Sequence, residues 1–585
     1  MVGHTHLVGF SVANAQGNRE RFHKLIVPAM CRPVLASQSM ELAFPLASLI
    51  ANQEVSGPST VTTVNPTTEE VLAEVSALDA QGARQAVEAA SRAFPSWSQT
   101  SLAQRQRLLA SWLSVLLEQS EELARLVALE TGKPLTEALL VDIFPACEAL
   151  SYLARHLPAL LQPRPTPPEQ ILFAHWRAAY RFEPLGVVAV ITPWNYPVAI
   201  PVVEIAQAVA CGNTVVFKPA TATVLVGLAL ADTLRKAGFP PGVVNTVVLR
   251  GADTTALLDD PRVTKVLFTG SVEVGKQVAQ RAASRLCPVQ LELGGKDAAV
   301  VAADADLEHT AQGLVWGAMQ NSGQTCASIE RVYVEKPFFE PLVARVVELV
   351  NALKVGDPLW PDTDMGPMTT LEQRQVVASH VQQALEQGAK ALTGGFVPPG
   401  KGYFYPPTVL VDVTDDMAVM REETFGPVLP IMPVDSLDEG IARANASRFG
   451  LTASGWTRSR KKAARLMREL AAGVVTINEH VATFAEPSAS WGGIKDSGIG
   501  RSHGFFGLLE LVNIKYVAES YPKGASPWYY PYDEDKRAFL KAALPALYAR
   551  GRVKLSALRT LARTQTFWAR VRKTSLLAHW PKLFR

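Results

Sequence analysis

Apolar residues recur along this chain with two periods, one helical and one typical of buried strands. Helical spacing runs through 81–94 and 103–129, where apolar positions lie three and four residues apart. Between 184 and 300, short β-branched runs alternate with helical stretches such as 224–237, which predicts a parallel sheet with crossover helices. A second alternating region at about 298–476 predicts a second α/β layer. The runs that predict strands are 187–191, 214–217, 243–248, 265–268, 298–301 and 332–335.

The two ends of the chain lack this pattern. Residues 1–58 show no sustained period and end in the turn-rich 56–58, which predicts a poorly ordered extension. After Asp535 the chain carries basic residues and no acidic one, interleaved with leucine and aromatic residues. On a helix, an arginine face would lie roughly opposite Leu558 and Leu561, so the tail either lies on an anionic membrane or packs on its own subunit. The basic residues are Lys536, Arg537, Lys541, Arg550, Arg552, Lys554, Arg559, Arg563, Arg570, Arg572, Lys573, Lys582 and Arg585.

Length and composition favour a multidomain globule in a reducing compartment. The 585 residues are 48% hydrophobic, and Lys+Arg 57 nearly balances Asp+Glu 54, so no overall field indicates nucleic acid. The five cysteines are scattered without a CxxC pair or a Cys/His cluster, which predicts no metal site and a cytoplasmic location. No secretory signal is evident, and the most apolar stretch, 186–217, is broken by prolines and asparagines, which argues against a membrane span.

Asn195 is a candidate hydrogen-bond donor. It follows a predicted strand and stands in the segment Pro193–Pro197, fixed by two prolines. A rigidly held side-chain amide can stabilise a developing oxyanion. An ordinary turn asparagine is the other interpretation, and for this residue alone it is the favoured one.

The segment Gly270–Gly275 follows a predicted strand and opens a predicted helix. In that context, backbone N–H groups and a helix N-terminus can bind phosphate. The spacing differs from GxGxxG, and a strand-to-helix turn uses glycine for steric reasons anyway, so this motif is weak alone.

Glu292 and Cys326 have the surroundings of a base and a nucleophile. Glu292 stands between leucines and before a glycine pair, an apolar setting that raises a carboxyl pKa; an exposed strand-end glutamate is the alternative. Cys326 ends the polar segment Asn321–Cys326, whereas structural cysteines prefer apolar neighbours, so it is the predicted reactive thiol. Three other cysteines are expected to be inert: Cys147, Cys211 and Cys287.

Seven motifs, in this order, resemble the aldehyde dehydrogenase superfamily over about residues 60–522. A chance match of seven ordered motifs is negligible. The motifs are PWNYP (193–197), FKPA (217–220), FTGSVEVG (268–275), LELGGK (291–296), NSGQTC (321–326), EETFGP (422–427) and WGGIKDSGIGR (491–501).

The resemblance implies an NAD(P)-dependent oxidation of an aldehyde through a covalent thioester. Cys326 is then the nucleophile, Asn195 with the Cys326 backbone N–H forms the oxyanion hole, and Glu292 activates Cys326 or the hydrolytic water. Lys218 would bond the adenosine ribose, Ser271 the pyrophosphate, and Glu423 and Phe425 the nicotinamide end. The full set of expected cofactor-binding residues is Trp194, Lys218, Thr221, Gly270, Ser271, Gly275, Glu423 and Phe425.

The implied fold is α/β: a Rossmann-like cofactor domain, an α/β catalytic domain and a small oligomerisation sheet. That sheet would contain a hairpin near 174–182 and a late strand near 513–518, and the protein would be a homodimer or homotetramer. The expected segments are an extension at 1–58, the cofactor domain at 59–292, the catalytic domain at 293–490, a return segment at 491–522 and the basic tail at 523–585.

Two positions depart from what relatives carry. Thr221 stands where many NAD-preferring relatives have a glutamate that bonds the ribose 2′-hydroxyl, so NADP use is plausible. Gln320 stands where relatives acting on acidic semialdehydes place an arginine, and Ile200 and Val203 indicate an apolar pocket.

Two alternative functions stay open. An inactive scaffold would usually have lost one of Cys326, Asn195 and Glu292, and all three are present. A CoA-acylating semialdehyde dehydrogenase would typically lack the general-base glutamate, so Glu292 favours hydrolysis.

Overall fold

The structure, a computed structural model, describes residues 44–169, 173, 176–520 and 529–563. It divides into two units. The main unit takes its residues from Met1–Leu160 and Pro184–Val512, and the arm unit takes them from Leu161–Glu183 and Asn513–Arg585.

Most strands of the main unit are short, apolar and buried along their whole length, as expected for sheets covered by helices on both faces. In chain order, the strands of both units are β1 Ser48–Ile50, β2 Gln53–Val55, β3 Ser59–Val64, β4 Val71–Ala77, β5 Arg164–Pro165, β6 Arg177–Pro184, β7 Val187–Ile191, β8 Thr214–Lys218, β9 Val244–Thr246, β10 Val263–Thr269, β11 Val289–Glu292, β12 Asp297–Val301, β13 Ile329–Glu335, β14 Lys390–Thr393, β15 Thr408–Val411, β16 Val428–Val434, β17 Thr452–Trp456, β18 Val474–Ile477, β19 Gly498–Ile499 and β20 Val512–Glu519.

Two large sheets form the main unit. The first has the order β19-β11-β10-β7-β8-β9-β1-β2, and its centre from β11 to β9 is parallel. The second has the order β14-β15-β16-β13-β12-β17-β18 and is parallel except for β14. Because β11 ends at Glu292 and β12 begins at Asp297, the chain passes from one sheet to the other across four residues. A smaller antiparallel pair joins β3 to β4.

The helices of the main unit cover both sheets with aliphatic and small residues, and several begin at a Ser, Thr or Asp cap such as Asp79 or Ser101. The helices of at least five residues are Ala80–Ser98, Leu102–Glu118, Ser120–Thr131, Phe144–Leu161, Ala199–Ala210, Val224–Lys236, Thr255–Asp259, Val272–Ala283, Leu307–Met319, Lys336–Ala352, Leu371–Glu386, Leu437–Asn445, Arg460–Glu469 and Gly504–Leu509, with a π-turn at Leu139–Ile143; shorter ones are Leu135–Ala138 and Ala418–Arg421.

The arm unit holds a small sheet and a helical hairpin. The sheet has the order β20-β6-β5, in which β5 and β6 are antiparallel. The expected small sheet is therefore present, although residues 174 and 175 of its predicted hairpin lie outside the described residues. The hairpin consists of helices Glu534–Tyr548 and Gly551–Arg563.

The α/β fold class is confirmed, and two local predictions are wrong. The predicted extension is too long, because β1 and β2 pair with each other and β1 joins β9, which makes residues 48–55 the edge of the first sheet. Three-residue strands are too short to show a period in the sequence. The predicted helix at 103–129 is interrupted at Gln119, which caps one helix and precedes the next. Residues 1–43 lie outside the described part of the chain.

Among the described residues, no helix is long and apolar enough to cross a membrane. Within the same ranges, no group of three or more His, Cys, Asp or Glu side chains is arranged to hold a metal ion.

Candidate active site

The segment after β7 carries Asn195 at the carboxyl edge of the first sheet, where open parallel sheets bind their ligands. Asn195 is buried, and its Nδ2 donates to the carbonyl of Gln324 at 3.0 Å. The backbone carbonyl oxygen of Asn195 accepts hydrogen bonds from Lys133 Nζ and Asn321 Nδ2, both at 2.9 Å. Tyr196 and Thr325 share a further hydrogen bond of 2.6 Å. These contacts fix the Asn195 segment against the loop that leads to Cys326.

That loop has an unusual backbone. Asn321, Ser322 and Gly323 are consecutive residues with φ values of +53°, +52° and +70°. At Gly323 a Cβ would stand 2.1 Å from the carbonyl oxygen of Gly426, so only glycine fits there. Strained backbone of this kind persists where the surroundings hold it, and it often marks functional sites. Here it turns the chain from the helix Leu307–Met319 into the Cys326 segment.

The Cys326 thiol is half-buried and stands among carboxyl groups. Burial raises its pKa, and the negative charges of Asp297, Glu423 and Glu292 raise it further. The sequence-based expectation that polar neighbours favour the thiolate is therefore wrong for this structure, because the nearby charges are negative. The thiol needs a base to take its proton.

The other described cysteines have different surroundings. Burial raises the pKa of Cys147 to about 11 and of Cys211 to about 12, and it also raises the pKa of Cys287. None of these thiols lines the cavity that holds Cys326.

Glu292 ends β11 and is buried, and neither of its carboxyl oxygens has a hydrogen-bond partner. Burial raises its pKa well above the ordinary value of 4.5, and the charge of Glu204 adds to this, while Arg501 opposes it. A carboxyl group with a raised pKa is a stronger base than an ordinary glutamate. It can therefore accept a proton at a pH where ordinary glutamates stay ionised.

Cys326 and Glu292 line the same cavity of about 20 Å³. A space of this size holds about one water molecule. Apolar side chains form most of its wall, and the remainder is polar. The lining residues are Ile200, Val203, Glu204, Thr269, Glu292, Leu293, Cys326, Leu451, Phe484, Trp491, Ser502 and His503.

A cleft of about 980 Å³ opens beyond the carboxyl ends of β7, β8 and β10. Five of the expected cofactor residues line it: Trp194, Lys218, Thr221, Gly270 and Ser271.

The chemistry of this cleft fits a dinucleotide. Ser271 caps the helix Val272–Ala283, whose N-terminus faces the cleft and favours phosphate. Burial lowers the pKa of Lys218 to about 8. A hydroxyl or anionic partner in the cleft would therefore stabilise its charged ammonium form.

The three remaining expected residues do not line this cleft. Gly275 is buried against Leu293, where a Cβ would stand at 2.4 Å, so its role is steric. Glu423 accepts a hydrogen bond of 3.0 Å from the backbone N–H of Gly295. Phe425 lies edge-on to Trp194 with ring centroids 5.5 Å apart, which connects it to the cleft indirectly.

Sequence reasoning missed three buried ionisable residues, Lys133, Asp142 and Glu204. Lys133 pairs with Asp142 and lies 4.1 Å from the Tyr196 ring centroid, and Asp142 accepts the backbone N–H groups of Val198 and Ala199. Glu204 lines the Cys326 cavity. A charged residue within an otherwise apolar helical run was the available signal for Glu204.

Comparison with known proteins agrees with this geometry. The family model described as the aldehyde dehydrogenase family matches residues 53–517. The chain belongs to the aldehyde dehydrogenase family. Human retinaldehyde dehydrogenase 3 is 37% identical over 515 residues, which cover 87% of this chain and 97% of that protein.

Solved structures share the fold as well. An NAD+ complex of the aldehyde dehydrogenase from Bacillus cereus has a TM-score of 0.80 and 36% identity, and it covers 84% of this chain and 100% of that one. An NADP-dependent enzyme of E. coli has a TM-score of 0.79 and 33% identity, with coverages of 84% and 100%. This chain is therefore an NAD- or NADP-dependent aldehyde dehydrogenase.

Thr221→Glu is expected to raise the preference for NAD over NADP. Thr221 lines the cleft, and a carboxylate there would accept from a 2′-hydroxyl and repel a 2′-phosphate. The measurement is the ratio of kcat/KM for the two cofactors, with Thr221→Gln as the uncharged control. An unchanged ratio in Thr221→Glu would show that position 221 does not face the adenosine ribose.

Proposed function

We propose that this aldehyde dehydrogenase oxidises an apolar aldehyde to the carboxylic acid through a thioester on Cys326, which water activated by Glu292 then hydrolyses. The observation that carries this proposal is the shared cavity of Cys326 and Glu292, beside the fixed amide of Asn195. The nucleophile and the base then line one small space, and the amide of the oxyanion donor is held against Gln324, two residues before the nucleophile.

In the first step the Cys326 sulfur bonds to the aldehyde carbon, and the thiol proton leaves to a base. Glu292 is the carboxyl group of the cavity best able to take it, since its oxygens have no other partner. The oxygen of the former carbonyl becomes negative. We assign its stabilisation to the Asn195 side chain, which has a second N–H beyond the one bonded to Gln324, and to the Cys326 backbone N–H.

The cofactor, when bound, accepts the hydride that leaves the substrate carbon. We assign its binding to Lys218, Thr221, Gly270 and Ser271, with Trp194 and Phe425 toward the reacting end. The Glu423 carboxyl would have to exchange its hydrogen bond with Gly295 for one to the cofactor ribose.

In the last step Glu292, which has by then released the thiol proton to solvent, takes a proton from water, the water oxygen bonds to the thioester carbon, and the carbon–sulfur bond breaks. The electron pair of that bond returns to the Cys326 sulfur. Hydrolysis is favoured over transfer to CoA because a buried general base stands beside the thiol.

The substrate class follows from the wall of the site. Ile200, Val203, Leu451, Phe484 and Trp491 surround Cys326, and no basic side chain other than the neutral His503 lines that cavity. The pKa of His503 is lowered to about 4 by burial, so it carries no charge that would bind an anionic aldehyde. These contacts support an apolar substrate.

Cys326→Ala should reduce aldehyde oxidation by roughly a thousandfold or more, because the covalent step is lost. Cofactor affinity, measured by fluorescence titration of the variant, is expected to stay near that of the parent. Cys147→Ala is the matched control and should retain turnover. Substantial oxidation by Cys326→Ala would rule out the thioester mechanism.

Glu292→Gln should slow thioester hydrolysis more than hydride transfer, since the amide keeps the shape but accepts no proton. Stopped-flow absorbance is expected to show a burst of reduced cofactor followed by slow turnover. In the parent, Glu292 works only when ionised, and its pKa is raised, so hydrolysis should increase with pH and reach half its maximum well above pH 4.5. If burst and turnover vanish together, Glu292 is needed before hydride transfer instead.

We propose two further roles for the arm unit. Tyr180, Ile514 and Tyr516 are exposed on β6 and β20, which suits a sheet that pairs with a second subunit in a homodimer or homotetramer. The helical hairpin uses Leu558 and Leu561 to pack its two helices together, so that face is not free.

Other apolar side chains of the hairpin stay exposed beside basic ones, which supports contact with an anionic membrane. The exposed apolar residues are Leu540, Leu544, Tyr548, Val553 and Leu555, and the basic ones include Lys541, Arg550, Arg552, Lys554 and Arg559.

Removal of residues 525–585 tests the membrane role. The shortened enzyme should keep activity on short aldehydes and lose co-sedimentation with phosphatidylserine vesicles at low salt. Vesicles of neutral phosphatidylcholine are the control. Failure of the full chain to sediment with the anionic vesicles would contradict the proposal.

A further inference from the structure

Glu204 is a second carboxyl group at the catalytic cavity. It lies on the helix Ala199–Ala210, where every residue is buried and Glu204 alone is ionisable. Its Oε1 accepts a hydrogen bond of 2.7 Å from Thr269 Oγ1, and its Oε2 is buried without a hydrogen-bond partner. A buried carboxyl oxygen without a partner is costly, so its presence beside a reacting thiol calls for a function.

The missing partner is available in the cavity itself. Glu204 and Glu292 line the same space of about 20 Å³, and both oxygens of Glu292 are also unpartnered. A single water in this space would have two carboxyl groups, Thr269 and Ser502 near it, which satisfies the two to four polar contacts that a buried water needs. The two carboxyl groups therefore line one space with room for a single water.

The charges around the cavity favour a state in which the carboxyl groups of Glu204 and Glu292 hold one proton between them. Burial raises the pKa of Glu204 to about 8, although the Thr269 hydroxyl opposes this, and the charge of Glu204 raises the pKa of Glu292. Arg501 lowers the pKa of Glu292, and Glu510 raises it. The remaining titratable groups on the wall are the Cys326 thiol and His503, whose pKa is lowered to about 4 by burial. Two carboxyl groups so placed cannot both ionise easily.

We propose that Glu204 is a positioning residue that shares a proton with Glu292 through the cavity water and thereby sets the pH range in which Glu292 acts as the base. The inference rests on the proposed role of Glu292. Glu204 ionises first, and its negative charge keeps the shared proton on Glu292, which donates it toward the water until a higher pH makes Glu292 the ionised base. Thr269 fixes the Glu204 carboxyl in this orientation.

The pair should lose its protons in two steps, because interacting carboxyl groups titrate together. Glu204→Gln keeps the shape and the bond to Thr269 but carries no titrating proton. The hydrolysis rate of the thioester, measured in single turnovers across pH, should then change from two steps to one. The midpoint of that step should lie lower than in the parent by about 1 pH unit, since the neighbouring negative charge is gone.

Three variants act as comparisons. Glu204→Asp keeps a carboxyl and should keep two steps. Thr269→Val keeps Glu204 but removes a donor that favours its ionised form, so the lower step should move to higher pH. Val203→Ala changes the same cavity wall without changing a charge, and its pH profile should stay at the parent position even if its turnover changes.

Infrared titration of the carboxyl stretching band provides a readout without substrate or cofactor. The difference between the parent and Glu204→Gln should contain a band that titrates near pH 8, and the Glu292 band should shift between the two proteins. Superimposable pH profiles and infrared titrations of the parent and Glu204→Gln would overturn the inference. Activity retained in Cys326→Ala would instead overturn the proposed function, and the infrared comparison would still decide whether the pair exists.

Discussion

The arrangement of the site depends on the hydrogen bonds that the backbone carbonyl oxygen of Asn195 accepts. This oxygen accepts hydrogen bonds from Lys133, 62 residues earlier in the chain, and from Asn321, 126 residues later. Asp142 completes the arrangement, because it pairs with Lys133 and accepts the backbone N–H groups at 198 and 199. A buried ion pair is expensive to desolvate, and here the cost is offset by hydrogen bonds that hold the start of the helix Ala199–Ala210. These contacts fix the Asn195 segment, so the proposed oxyanion donor needs no rearrangement of its backbone.

The electrostatics of the site are dominated by buried carboxyl groups. Burial raises the pKa of Asp297 to about 8 and that of Glu423 to about 8, and both groups raise the pKa of the Cys326 thiol. The thiol is thus kept in its neutral, less reactive form in the free protein. Glu292 and Glu204 have unpartnered oxygens in the same cavity, so this is also where a proton is most easily accepted. The thiol therefore stays protonated until a carboxyl group of the cavity takes its proton.

Sequence patterns predicted the large sheets because their strands are apolar along their whole length, as in β7 and β8. The family resemblance also predicted that the Asn195 segment and the loop before Cys326 lie together, and the hydrogen bonds of Asn195 with Gln324 and Asn321 join them. Other features depend on contacts between distant residues. Strands β1 and β2 are too short to show a period, and Lys133 stands 62 residues before its partner carbonyl. The environment of Cys326 was misjudged because Asp297, Glu423 and Glu292 converge on it from separate segments of the chain.

The most direct test of the account is the location of the covalent intermediate. Glu292→Gln can be mixed with a short aliphatic aldehyde and NAD+, quenched in acid and analysed by peptide mass spectrometry. The account predicts an acyl group of the substrate's mass on the peptide that contains Cys326, removable by hydroxylamine, and none on the peptides that contain Cys147, Cys211 or Cys287. An unmodified Cys326 peptide in an enzyme that still reduces the cofactor, or an acyl group on another residue, would contradict it.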